Sequence, residues 1–97
     1  MEAWLHGQSS PPADLLGQAE EEIRGEGLER AEALLGQAIR QAPANTEALY
    51  RLGYVQFRRR KLPPARASFL QVLKLAPPAY NSRYFLGRIA LLENKPG

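Results

Sequence analysis

Residues 51–60 read RLGYVQFRRR, a run with helical spacing of apolar residues that carries a glycine, Gly53, at its centre. Glycine inside a helix costs about 1 kcal/mol relative to alanine, so something must offset it. A second stretch, YFLGRIALL at 84–92, holds the same Leu-Gly pair, and Leu86-Gly87 follows Leu52-Gly53 by thirty-four residues. The same interval separates Pro43 from Pro77, Ala31 from Ala65, Leu35 from Phe69 and Ala38 from Val72. The glycine therefore belongs to a repeating plan and not to one local turn.

Between these marks the chain reads as five helices: LLGQAEEEI, LERAEALLGQAI, TEALYRLGYVQF, ARASFLQVLKL and YFLGRIALL. Gly25, Gly27, Pro43, Pro63, Pro64, Pro77 and Pro78 punctuate them. Pro63 and Pro64 fit the first turn of a helix, where the missing N–H has no intrahelical partner, and Pro43 and Pro77 close the helices before them. Asn45 is a natural N-cap, with Glu47 set favourably at the positive end of the helix dipole. The spacing predicts a final helix over 80–93. The opening segment MEAWLHGQSSPP has no sustained periodicity and reads as a flexible tail, residues 1–11. No strand signal is present, so the expected fold is all-α.

On these columns the sequence resembles the tetratricopeptide repeat, a 34-residue pair of antiparallel helices. The resemblance covers residues 12–97 as repeats 12–45 and 46–79 and a partial third, 80–97. The central repeat fits best, with Leu49, Leu52, Gly53, Ala65, Phe69, Val72 and Pro77 in the family's pattern positions. The first repeat has Gln18-Ala19 in place of Leu-Gly, and Arg83 stands in the column of Leu15 and Leu49. The fold implied is a short right-handed superhelix of stacked helix pairs. A two-helix unit cannot bury its apolar side alone, so a residue with little or no side chain at Ala19, Gly53 and Gly87 lets the neighbouring helix approach.

Composition narrows the function classes. Apolar residues make up 44% of the 97 and charged ones 24%, the balance of a globular domain. With no cysteine there are no disulfides, thiolate metal sites or thiol nucleophiles. No signal peptide and no membrane-spanning stretch is visible, so a cytoplasmic protein is expected. The net charge of +3 conceals a division: residues 1–45 hold eight acidic and three basic side chains, residues 46–97 two acidic and ten basic. That asymmetry favours an acidic partner for the second half, or head-to-tail contact between copies, against the plain reading of solvated helix faces.

Catalysis finds little support. Glu20, Glu21 and Glu22 are consecutive and diverge on a helix, so they make no acid–base pair. His6, the one histidine, has no ligating neighbours, and Gly25-Glu26-Gly27 has Arg30 where a nucleotide fingerprint needs its third glycine. No enzyme, metal or cofactor is expected.

The resemblance implies instead a binding groove lined by the first helix of each pair. The family's ligand positions fall on Glu47, Tyr50, Tyr54, Phe57 and Arg58 in the central repeat, on Asn81, Tyr84, Arg88, Leu91 and Leu92 in the last, and on Ala13, Leu16, Glu20, Ile23 and Arg24 in the first. Tyr50, Tyr54, Phe57 and Tyr84, with Arg51, Arg58 and Arg88, combine aromatic area with guanidinium groups, the residue types that dominate binding hot spots. For the rings, completing the core between helices is the competing role. One branch of the family grips a terminal carboxylate through five polar or basic residues. The corresponding positions are Leu16, Glu20, Arg51, Asn81 and Phe85, so that clamp is not present and chaperone tails are not expected as ligands.

The expected function is thus a protein–protein interaction module, an adaptor or assembly scaffold for a protein or peptide partner, with acidic peptides favoured by the arginines. The alternative is a self-associating module: the last helix lacks a covering partner for Leu86, Ile89, Ala90 and Leu92, and an uncovered apolar stripe marks an interface and a homo-oligomer. Trp4 and Leu5 offer the tail an anchor in such a groove. A third reading, nucleic-acid binding, rests on Arg58, Arg59, Arg60 and Lys61; the plainer role of that run is to complement a helix C-terminus.

Overall fold

The computed structural model describes residues 12–94. The tail residues 1–11, including Trp4, Leu5 and His6, lie outside the described residues. Five helices follow in order: α1 Pro12–Arg24, α2 Leu28–Gln41, α3 Thr46–Arg58, α4 Leu62–Leu75 and α5 Tyr80–Glu93. Each packs against the next, and α3 also touches α5. Helix pairs α1/α2 and α3/α4 form two complete units, and α5 begins a third in the same register.

Local chemistry sets the helix ends. The Asn45 side chain accepts a hydrogen bond from the Ala48 N–H at 3.1 Å, capping α3. Pro63 and Pro64 sit in the first turn of α4. The turn after α1 and the turn after α3 share one geometry, closed by bonds from the Gly27 N–H to the Glu22 carbonyl and from the Lys61 N–H to the Gln56 carbonyl. The left-handed residue in each is not glycine: Glu26 has φ 67° and Arg60 φ 65°.

The core forms two clusters. Leu15, Ala19, Ala31, Leu35, Ala38, Ala48 and Val55 join α1, α2 and α3, while Ala65, Phe69 and Ile89 join α4 and α5. Small residues are buried where helices approach most closely. A Cβ placed on Gly53 would lie 2.9 Å from two atoms of the Phe69 ring, so the absence of that carbon is what admits the ring. Here is the offset for glycine's helix cost. Between α3 and α4, Ser68 Oγ donates to Gln56 Oε1 at 2.8 Å, which satisfies two polar groups shielded from water.

One expectation from the sequence requires correction. Ile89 does not lie on an uncovered stripe: it is 1% exposed and packs against Ala65 and Phe69. Leu86 also packs against that cluster and Leu92 is partly covered, so of the four residues expected on an uncovered stripe only Ala90 is exposed. The physical reason is orientation, because the apolar stripe through Leu86 and Ile89 turns back onto the preceding repeat. The division of charge between the halves also has an internal use. Glu20 pairs with Arg51, Glu26 with Arg58, and Glu32 with both Arg59 and Lys61, each acid in the first repeat meeting a base in the second.

Candidate functional site

Helices α1, α3 and α5 share one side of the stack, and the candidate residues lie there. Between α1 and α3 runs a cleft of about 370 Å³ lined by Glu20, Ile23, Arg24, Tyr50, Arg51 and Tyr54. A second cleft of about 320 Å³, between α3 and the turn leading into α5, is bordered by Glu47, Tyr50, Arg51, Val72 and Asn81 among others. Tyr50 and Arg51 stand on the ridge shared by both.

Beside these clefts the aromatic residues converge. Phe85 is the hub: its ring lies parallel to that of Phe69 at 5.2 Å and meets Phe57, Tyr84, Tyr54 and Tyr50 at 5.2, 5.2, 5.8 and 6.1 Å. Edge-on and stacked contacts of this kind stabilise beyond simple burial. Tyr50 and Phe57 pack on the second core cluster and Tyr54 on the first, and of these rings Tyr50 and Tyr54 also line the clefts. Burial raises the phenol pKa of Tyr50, to which the Tyr54 charge adds, while Arg51 opposes it. Tyr84 remains 57% exposed.

Two Tyr–Arg pairs recur along the face. Arg58 Nη1 donates to Tyr54 Oη and Arg88 Nη1 to Tyr84 Oη, each at 2.9 Å and four residues apart on its helix. The Arg58 guanidinium lies 5.5 Å from the Tyr54 ring centre, and that of Arg88 lies 5.7 Å from both Phe57 and Tyr84. Hydrogen bonding to Tyr54 and to Glu26 raises the Arg58 pKa further.

The three arginines are not equivalent. Arg51 is held by Glu20 and, at 3.0 Å, by Glu47. Arg58 is bound to Glu26 at 2.7 Å. Among the described residues, Arg88 has no carboxylate partner. The structure therefore brings Tyr50, Tyr54, Phe57, Tyr84 and Arg88 together around Phe85, and places Arg51 and Arg58 beside them as internally neutralised cations. Sequence reasoning missed Phe85 as the hub and the carboxylate partners. For the latter, the available signal was opposite charge at spacings near one repeat, such as Glu20 with Arg51. The basic run is likewise engaged, since Arg58, Arg59 and Lys61 are paired and Arg60 forms the turn. Among the described residues, no group of His, Asp and Glu side chains is arranged to hold a metal ion, and no helix is long and apolar enough to cross a membrane.

Comparison with known proteins agrees with this architecture. No curated protein sequence matches the chain significantly. Among solved structures it is similar to the first TPR of Spaghetti (RPAP3) bound to HSP90 peptide SRMEEVD, with a TM-score of 0.82 and 25% identity. That similarity covers 84% of this chain and 64% of the other, so this chain spans somewhat less than two thirds of its length. The tetratricopeptide-repeat family profile matches residues 16–80. With two helix pairs in a 34-residue register, a third begun at Tyr80 and the profile spanning most of the chain, the protein belongs to the tetratricopeptide-repeat family.

Proposed function

We propose that this chain is an interaction module, an adaptor or assembly factor, that holds a peptide segment of another protein against the face formed by α1, α3 and α5. The observation that carries this reading is the aromatic cluster around Phe85, which sets Tyr50 and Tyr54 in the lining of two clefts and holds the exposed Tyr84 against the same ring. Rigid rings bordering a preformed cleft bind at low entropic cost. The similar TPR structure was solved with a peptide bound, which supports the same use of this fold here.

The ligand's chemistry follows from the arginines. With Arg51 and Arg58 neutralised, acid recognition falls to Arg88, which lies over Phe57 and Tyr84 and is exposed. The preferred segment carries an apolar or aromatic anchor for the α1/α3 cleft and an acidic residue for Arg88. Nucleic-acid binding is disfavoured because three of the four cations in the basic run, Arg58, Arg59 and Lys61, are paired with carboxylates.

The test is selection of binding segments from a displayed library of random peptides, followed by titration of the selected peptides in solution. Arg88→Ala and Tyr50→Ala are expected to weaken binding by about tenfold or more, the range of interface hot spots, with the helical circular-dichroism signal retained. Affinity unchanged in both variants would overturn the assignment of this face.

A further inference from the structure

Trp4 is the single tryptophan of the chain, and it stands beside Leu5 in a segment whose other residues are mostly small or polar, MEAWLHGQSSP at 1–11. A segment of that length cannot build a core of its own, so an indole there is left in water unless it packs on the domain. Tryptophan is among the side chains with most apolar area to gain from such packing. A place that suits it is the α1/α3 cleft. With a volume of about 370 Å³ it has room for one large side chain, and it sets the rings of Tyr50 and Tyr54 and the aliphatic Ile23 beside the cations Arg24 and Arg51.

Helix geometry puts that cleft within reach. The segment joins α1 at Pro12, and Ile23 lies eleven residues along the helix, about 16 Å at a rise of about 1.5 Å per residue. The eight residues from Trp4 to Pro12 extend to about 26 Å. The remaining length of about 10 Å lets the chain reverse at the start of α1 and step towards the neighbouring helix, since packed helices lie about 8–10 Å apart. Gly7, Ser9, Ser10 and Pro11 are the residue types that a reversal uses. The second cleft suits an indole less, because Thr46, Glu47, Arg51 and Asn81 make up much of its lining and polar groups lose water there without gaining a partner.

We propose that residues 1–11 fold back along α1 and seat Trp4 in the α1/α3 cleft, so that an outside peptide binds there by displacing the chain's own tail. Glu2, two residues farther from Pro12, continues towards Arg24 at the far end of the cleft. Arg24 has a carboxylate partner, Glu21 at 2.8 Å, but the two side chains are well exposed, at 65% and 73%, and such a pair exchanges partners at little cost. The tail thereby offers an aromatic anchor and an acid, as the preferred peptide does. Tethering makes even a weak contact effective, because a short linker holds Trp4 at a local concentration on the order of millimolar. The autoinhibition rests on the peptide-binding reading of this face; the docking of Trp4 does not.

Because Trp4 is the only tryptophan, its fluorescence reads the tail in the full chain without a label. The measurement is quenching of that emission by acrylamide, compared between the 97-residue protein and a synthetic peptide of residues 1–11. Docking is expected to reduce quenching several-fold in the protein, independently of protein concentration. Tyr54→Ala in the cleft and Arg24→Glu at its edge, with the helical circular-dichroism signal retained, are each expected to return quenching towards that of the free peptide. Adding Glu2→Arg to Arg24→Glu is expected to restore the protection. Trp4→Ala is expected to raise affinity for a peptide selected from the displayed library by about tenfold. Quenching as strong in the protein as in the free peptide overturns the proposal. Protection unchanged in both Tyr54→Ala and Arg24→Glu also overturns it, since the tail then sits elsewhere, and protection that grows with protein concentration overturns it in favour of a second copy's tail. The two readings fail separately. Peptides that bind the parent and Trp4→Ala equally overturn the displacement and leave the peptide-binding face intact. A library that yields no binder overturns that reading of the face, and with it the autoinhibition, while the quenching result decides the docking by itself.

Discussion

The Phe69 ring lies directly over Gly53, so close that a Cβ on the glycine would stand 2.9 Å from its edge. The ring has no room to retreat, since it is fully buried, parallel to Phe85 at 5.2 Å and edge-on to Tyr50 at 5.7 Å. Gly53→Ala thus sets a helix-propensity gain of about 1 kcal/mol against an overpacking cost of about 1 to 3 kcal/mol. The net expectation is destabilisation. Gly87→Ala gains the propensity with no clash. Thermal unfolding should move in opposite directions for the two variants, by several degrees each. If both raise the melting temperature, the ring is not held in place as described.

The start of α5 carries two departures from the start of α3, and each predicts a stabilising change. Ala79, at φ −72° and ψ 91°, has nearly the backbone of the N-cap Asn45, at φ −77° and ψ 98°, but no side chain to cap with. Ser82, in the place of Ala48, is fully buried and its hydroxyl has no hydrogen-bond partner. Ala79→Asn should add about 1 kcal/mol through a new cap. Ser82→Ala should add about 1 kcal/mol or more by removing an unsatisfied buried group. Chemical denaturation checks both, and a lower midpoint for Ser82→Ala would show that its hydroxyl is bonded in solution.

What was legible in the sequence is what short range and period determine. Gly53, the prolines and Asn45 act within one helix or one turn, and the thirty-four-residue columns carry the stacking from one repeat to the next. The ion pairs were not legible in the same way. Glu20 meets Arg51 between α1 and α3, and Glu32 meets Arg59 between α2 and the end of α3, at spacings of 31 and 27 residues that fall off the thirty-four-residue columns. Ile89 was misplaced because counting apolar residues on a helix does not say which side meets the preceding repeat. Its column partner Val55, also fully buried, carried that information. Phe85 escaped notice because a hub is defined by neighbours from two other helices, α3 and α4.

Glu20 controls how much positive charge the α1/α3 cleft offers. It pairs with Arg51, whose other carboxylate partner is Glu47, and the pair is partly exposed at 25% and 35%. Loss of such a pair costs about 1 kcal/mol or less in stability. Glu20→Gln should therefore leave folding nearly unchanged while freeing Arg51 for an acidic ligand. Titration with an acidic peptide selected from the displayed library is expected to give an affinity about tenfold higher for the variant than for the parent at low salt, the difference shrinking as salt rises. An unchanged or lower affinity would mean that Arg51 does not reach ligands on this face.

Glu32 links stability to pH. Its carboxylate accepts from Arg59 at 2.5 Å and from Lys61 at 3.2 Å. Burial favours its neutral form, but the hydrogen bonds and charges of Arg59 and Lys61 together outweigh that and hold the pKa below the ordinary value of 4.5. A carboxyl whose pKa is depressed on folding binds its proton more readily when unfolded. The stabilisation is therefore fully present above the unfolded value and is lost as pH falls through the folded one. Glu32→Gln should lower stability at neutral pH and make the melting temperature less sensitive to acidification below about pH 5, where the unfolded carboxyl begins to bind its proton. Parallel pH profiles for parent and variant would show that the α2 contact with the Arg59–Lys61 turn contributes nothing through charge. Convergence of the two curves in acid would identify that contact as the electrostatic tie between the first and second repeats.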